Sequence, residues 1–374
     1  VGRSSPPAKI GIDPEVSSSF SSLKKFVARA LTSKDYTVAM RFSLRSRFRG
    51  AFLGTALGQV FATIALSQTH QPDQDPSLKP LRFAPLHPAR IWQAAGAIDL
   101  TSLRERNAGG RVAIQQTRNL IEPQVSSRID PFSKPTSAIE FLPLILFCHE
   151  SPEQLQHLLM PRLAECSAAL QTEVLLLGAI VSLMLKEQFL PDSFPDSSTG
   201  ATVAHRLIPL LLERRQFPFV EDGTEQDNEQ DNGLADQLCQ IQFWLVEQTP
   251  LSMLPAVSLS PTVAALYSVL KTPASFQISL LHTLRLSPDP TAAALAGLLA
   301  GTYLSEAGLP IGWRYALDRH PSALLQTLWD VSATAKLLDL ADRLWAGWSG
   351  AFQPHNWKPS PSTVTAIPRL VRPR

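Results

Sequence analysis

The chain has 374 residues, 44% of them hydrophobic and 18% charged, and a net charge of +2. That length can bury one large core or two ordinary ones. The near-neutral balance gives no sign of a nucleic-acid binder or an enzyme for acidic substrates, and no DNA-binding motif is present. Cys148, Cys166 and Cys239 are odd in number and widely spaced, so neither a disulfide framework nor a zinc site is expected. A reducing, cytoplasm-like compartment fits this usage.

Residues 1–39 read as a separate basic extension, rich in serine and proline. Residues 1–50 hold ten Lys/Arg against Asp13, Glu15 and Asp35, so the rest of the chain is net negative. The arm reads as a flexible tail, an organelle-targeting segment or an upstream extension of the reading frame. The folded domain is expected over 40–353, starting near Met40, and residues 354–374 read as a basic, proline-rich tail.

Helix patterns dominate from Arg47. The first is predicted over Arg49–Ser67, and a proline-rich loop follows at 68–88. Further helices are predicted at about 91–105, 136–148, 152–168, 171–188 and 202–214. The stretch GTEQDNEQDNG, Gly223–Gly233, reads as a solvated acidic loop. Its D-x-E-x-D from Asp227 resembles a calcium loop, but Leu238 stands where the closing Glu belongs. Helices resume at about 234–248, 261–271, 273–284, 290–307 and 321–349. Few segments alternate with period two, so the fold class is all-α. The apolar runs Val174–Leu185 and Ala293–Leu304 are shorter than the ~20 residues of a membrane span and read as core helices, so no transmembrane segment is expected.

Within the first helix, Gly50, Gly54 and Gly58 recur every four residues among apolar neighbours. Each interior glycine costs a helix roughly 0.5–1 kcal/mol relative to alanine. A second stripe, Ala293, Gly297, Gly301 and Ser305, has the same spacing. Two such faces let helices approach backbone to backbone, so these two helices are expected to cross at the centre of the domain. Gln59 follows the first stripe, as a polar remnant of a pocket or a satisfied buried amide. Asp289, in Asp-Pro-Thr before the apolar helix, reads as an N-cap with proline in the first turn. Asp99 reads as a surface or capping residue. Trp329, Trp345 and Trp348 read as core or interface anchors. GWSGA, Gly347–Ala351, lacks the last glycine and the strand of a nucleophile elbow.

RFRGAFLGTALGQ, Arg47–Gln59, resembles the opening helix of the ADP-ribosylglycohydrolase family, R-x-R-G-x-x-x-G-x-A-x-G-D. PDPTAAALAGLLAGTYLSEAGLPIGWRYAL, Pro288–Leu317, is similar to a later segment of that family through Thr291, Ala293, Ala294, Ala296, Gly297, Gly301, Pro310 and Trp313. FLPLILFCHESPEQLQHLL, Phe141–Leu159, resembles its mid-chain helix pair. The three matches keep the family's order and span most of 47–317.

The resemblance implies an all-α fold. In active relatives it implies two Mg²⁺ ions held by carboxylates that cleave ADP-ribosyl bonds. The ligand residues do not carry over. Gln59 stands at the expected Asp, and the region of the family's T-D-D-T keeps only Asp99 and Glu105. Pro288 and Pro290 occupy the two later aspartate positions. Neutral groups cannot hold hard cations in place of carboxylates. The expectation is a catalytically degenerate relative without a cofactor. Gln59, Asp99, Asp289 and Thr291 would form a remnant pocket, and an unidentified protein partner or a nucleotide-like ligand would bind. An active hydrolase with rearranged ligands and a structural subunit of a larger complex are the alternatives.

Overall fold

In the computed structural model, helix α1 (Leu44–Thr69) runs through the middle of the structure, and every residue from Gly50 to Ile64 is buried. A helix that is apolar all round belongs inside a protein. The structure describes residues 42–69, 109–121, 135–164, 166–186, 207–212, 227–254, 259–319 and 322–350. These all belong to one compact unit, and among them no residue is in a β-strand. The fold is all-α. Of the expectations above, the extension 1–39, the tail 354–374, the loop 70–88, the helix at 91–105, Asp99 and Glu105 lie outside the described residues.

After α1 come α2 (Gly109–Ile121), a 3₁₀ turn (Ala138–Phe141), α3 (Leu142–Phe147), α4 (Pro152–Leu163), α5 (Ala168–Leu185), α6 (207–212) and α7 (Asp227–Val246). Then follow α8 (Pro261–Lys271), α9 (Phe276–Leu286), α10 (Pro290–Leu304), α11 (Ile311–Arg319), α12 (Ser322–Trp329) and α13 (Thr334–Trp348). The hub is the pair α1 and α10. Helices α8 and α9 pack on α10, α13 packs on α1, and α2 packs against α12, α13 and the 3₁₀ turn.

Local chemistry sets the helix starts. Ser151, Ser167, Ser260 and Ser275 each accept a first-turn N–H, from Gln154, Leu170, Val263 and Ile278. Ser137 and Glu140 form a capping box before α3.

Several boundaries depart from the pattern-based expectation. The acidic stretch from Asp227 is the first turn of α7 rather than a loop, which removes the calcium-loop geometry. Helix α2 was masked in the sequence by its Gly109-Gly110 start. A Cβ on Gly110 would lie 2.6 Å from the Trp329 ring, so glycine makes room for an indole that is fully buried. The single long helix expected over 321–349 is two. It breaks at Asp330, which has φ +54, a left-handed conformation that Asp tolerates. Helix α10 likewise ends at Ser305, with φ +60.

By length and composition, Leu44–Ser67 and Ala168–Leu185 would suffice to cross a bilayer. The run Val174–Leu185 is thus part of an 18-residue helix. In this fold 83% of the α1 window and 56% of the α5 window are buried, which makes α1 a core helix.

Candidate functional site

The site is built around the α1–α10 seam. A Cβ on Gly50 would overlap the carbonyl oxygen of Gly301, one on Gly54 that of Gly297, and one on Gly58 that of Ala293. In return, Gly297 and Gly301 face the carbonyl oxygens of Gly54 and Gly50. The helices run antiparallel, backbone to backbone, in four-residue steps. Only glycine fits at these points, because the obstacle is main chain and cannot rotate away.

The seam ends at the N-terminus of α10, where the remnant-pocket residues were expected. Asp289 is the N-cap, and its Oδ1 accepts the N–H of Thr291 at 2.9 Å with Pro290 in the first turn. Gln59, beside the Gly58–Ala293 contact, is 2% exposed. Its backbone carbonyl accepts the Thr63 hydroxyl at 2.8 Å, while its side-chain Oε1 has no hydrogen-bond partner among the described residues.

A residue that the sequence reading passed over stands close by. Glu173 on α5 is the one charged residue in AALQTEVLLLGAIVSLML, and that isolation was its signal. Burial pushes its carboxyl pKa up, and the neighbouring charge of Asp289 adds to this. The Thr262 N–H and the Ser260 hydroxyl at the start of α8 face it and draw it back only in part. Its Oε1 and the buried Thr262 hydroxyl have no hydrogen-bond partner among the described residues. Glu173 thus faces the N-terminus of α8, and Asp289 caps α10.

The opposite end of α1 holds a second polar cluster. Asp342 on α13 accepts Nε and Nη2 of Arg45 at 2.8 and 2.6 Å, and the same two nitrogens of Arg49. Arg49 continues to Glu306 at 3.2 Å, which also accepts Arg314 at 2.6 Å. The paired guanidinium groups hold the Asp342 carboxyl below its ordinary range despite its burial. Arg47 is buried and donates to the Met184 carbonyl at 2.9 Å, placing a cation at the C-terminal end of α5. The R-x-R-G segment thus anchors α1 to α5 and α13.

Aromatic contacts fill the remaining joints. Trp313 stacks on Phe61 with centroids 4.7 Å apart, tying α11 to α1. Trp348 and Phe48 flank the buried His149 ring at 5.0 and 5.8 Å, and Nδ1 of His149 lies 2.7 Å from the Leu146 carbonyl. Trp329 is fully buried, and Trp345 lies under the Arg45 guanidinium at 5.8 Å.

Among the described residues, no three His, Cys, Asp or Glu are grouped so as to hold a metal ion. Compared with known protein families and with curated proteins, the chain matches none, so the family resemblance rests on the residues quoted above.

Proposed function

We propose that this chain is a catalytically degenerate ADP-ribosylglycohydrolase-like protein that acts as a binding or assembly module. The carrying observation is the Asp289 carboxylate, which accepts the Thr291 N–H and so works as a helix cap. Gln59, next to the Gly58–Ala293 contact, is a neutral amide, and Pro288 and Pro290 flank the cap. Two divalent ions held close together need several anionic oxygens to offset their repulsion and lost hydration.

The test is to incubate the protein with arginine- or serine-linked ADP-ribose substrate, with Mg²⁺, with Mn²⁺ and with chelator. No metal-dependent release is expected, either from the native protein or from Gln59→Asp. Turnover that chelator abolishes would overturn the proposal.

One observation favours the second reading, an active hydrolase with rearranged ligands: the buried Glu173 carboxyl, whose Oε1 has no hydrogen-bond partner among the described residues. Calorimetric titration with Mn²⁺ separates the two. Tight binding lost in Glu173→Gln would support the hydrolase.

The assembly role draws on an exposed apolar face. Phe243 and Val246 lie one turn apart on α7, 62% and 50% exposed, and Met253 follows at 74%. Such patches mark contact surfaces. A shift to the monomer on native gels for Phe243→Ser, from a larger native species, would support assembly there.

A further inference from the structure

A cleft of about 440 Å³ lies where the C-terminal turn of α2 meets the α12–α13 connection. Its size is within the range of small-molecule sites. Arg118, Lys336 and Arg343 line it with Asp330, Asp339, Gln326 and Ser332 around Val331 and Leu340. Cations therefore outnumber carboxylates three to two.

Their pairing is uneven. The Arg343 Nε lies 2.9 Å from an Asp339 carboxylate oxygen, a close i,i+4 ion pair on α13. The Arg118 contact to Asp330 Oδ2 is 3.9 Å, too long for a hydrogen bond, while Asp330 Oδ1 accepts the Gln326 amide at 2.8 Å. Lys336 donates to the Ser332 hydroxyl at 2.8 Å, and no carboxylate lies within ion-pair distance of it among the described residues. A guanidinium has five N–H donors and an ammonium three. Arg118 and Lys336, brought to one cleft from two helices, retain most of theirs.

We propose that this cleft binds a small phosphate-bearing molecule, with the phosphate oxygens taken by Arg118 and Lys336. The Gln326 amide and the Ser332 hydroxyl supply partners for hydroxyl groups on the same molecule. The Val331 and Leu340 side chains form an apolar floor. A compact dianion suits two cations from different helices, since planar and point donors can grip different oxygens. Asp330 competes with the phosphate for Arg118. The site is separate from the α1–α10 seam and does not depend on the reading of that seam.

The test is an NMR titration of the full chain with inorganic phosphate, glycerol 3-phosphate and acetate. Saturable shifts confined to the end of α2 and the first turn of α13 are expected for the two phosphates, with acetate much weaker. Lys336→Glu and Arg118→Glu, both at exposed positions, should each weaken binding roughly tenfold or more. Asp330→Asn keeps a residue that accepts the left-handed backbone and should tighten binding several-fold by releasing Arg118. Arg162→Glu, an exposed change on α4, should leave it unaltered. Shifts that never saturate, or equal weakening by Arg162→Glu, would overturn the proposal. So would Asp330→Asn that fails to tighten binding.

Discussion

Gly54 and Gly297 face each other so closely that a Cβ on either would overlap the other's carbonyl oxygen. Gly54→Leu should therefore force the two central helices apart and destabilise the protein by about 1–3 kcal/mol or more. Helix propensity alone has the opposite sign, because leucine is the better helix former by up to ~1 kcal/mol. Chemical denaturation measures the net effect, and a rise in stability would refute the close crossing.

Asp342 holds Arg45 and Arg49 together while being only 6% exposed itself. Asp342→Asn should cost ~1.5–3 kcal/mol, the usual range for hydrogen bonds to charged groups. The Asp342 pKa is depressed in the folded state. Its contribution is thus fully present above the ordinary Asp range and fades as pH falls through and below it. Denaturation midpoints taken between neutral pH and pH 3 should show a smaller acid-dependent loss in the variant than in the native protein.

Glu173 works in the opposite direction. Its folded-state pKa is raised, so over the window above the ordinary Glu value the folded protein keeps a proton that the unfolded chain releases. Its contribution to stability therefore falls as pH rises through that window. Glu173→Gln should remove this slope and leave the variant more stable than the native protein at pH 7. Equal pH profiles for the two proteins would show that the carboxyl is not desolvated.

Gln59→Leu should stabilise the fold, because the buried Oε1 has no partner among the described residues and an unsatisfied polar group costs about 1–3 kcal/mol. A marked loss of stability would show that the amide makes a contact the chain needs.

The cysteines should separate cleanly by reactivity. Burial pushes the Cys148 thiol up to about 11, while Cys239 is exposed. Iodoacetamide at pH 8 should modify Cys239 in the native protein and reach Cys148 only after denaturation, as read by mass spectrometry.

The sequence made the seam visible because small residues at four-residue spacing on two apolar helices have few other uses. The Asp289 cap was equally legible, since Asp-Pro-Thr is a local signal that needs no tertiary partner. What stayed hidden depended on distant residues. The start of α2 needs the Trp329 ring to explain Gly110. The break at Asp330 was foreshadowed only weakly, by the poor helix formers Asp330, Val331, Ser332 and Thr334, and the cleft it borders gathers residues from three helices. Asp342, one charge among several in its helix, gave no hint that two arginines almost 300 positions earlier converge on it. Glu173 was readable in principle as a lone charge in an apolar helix, but its partner in space is the N-terminus of α8, across more than 80 positions.

The interlocked glycines also act as a ratchet. Helix α10 cannot slide along α1 by one residue without driving side chains into a carbonyl row. The next register that returns small residues to the seam is four residues away, a travel of about 6 Å at 1.5 Å per residue. Such a step would drag the Asp289 turn past Gln59 and pull Glu306 away from Arg49. Small sliding motions along this joint are therefore blocked by main chain, and α1 and α10 are held in one register.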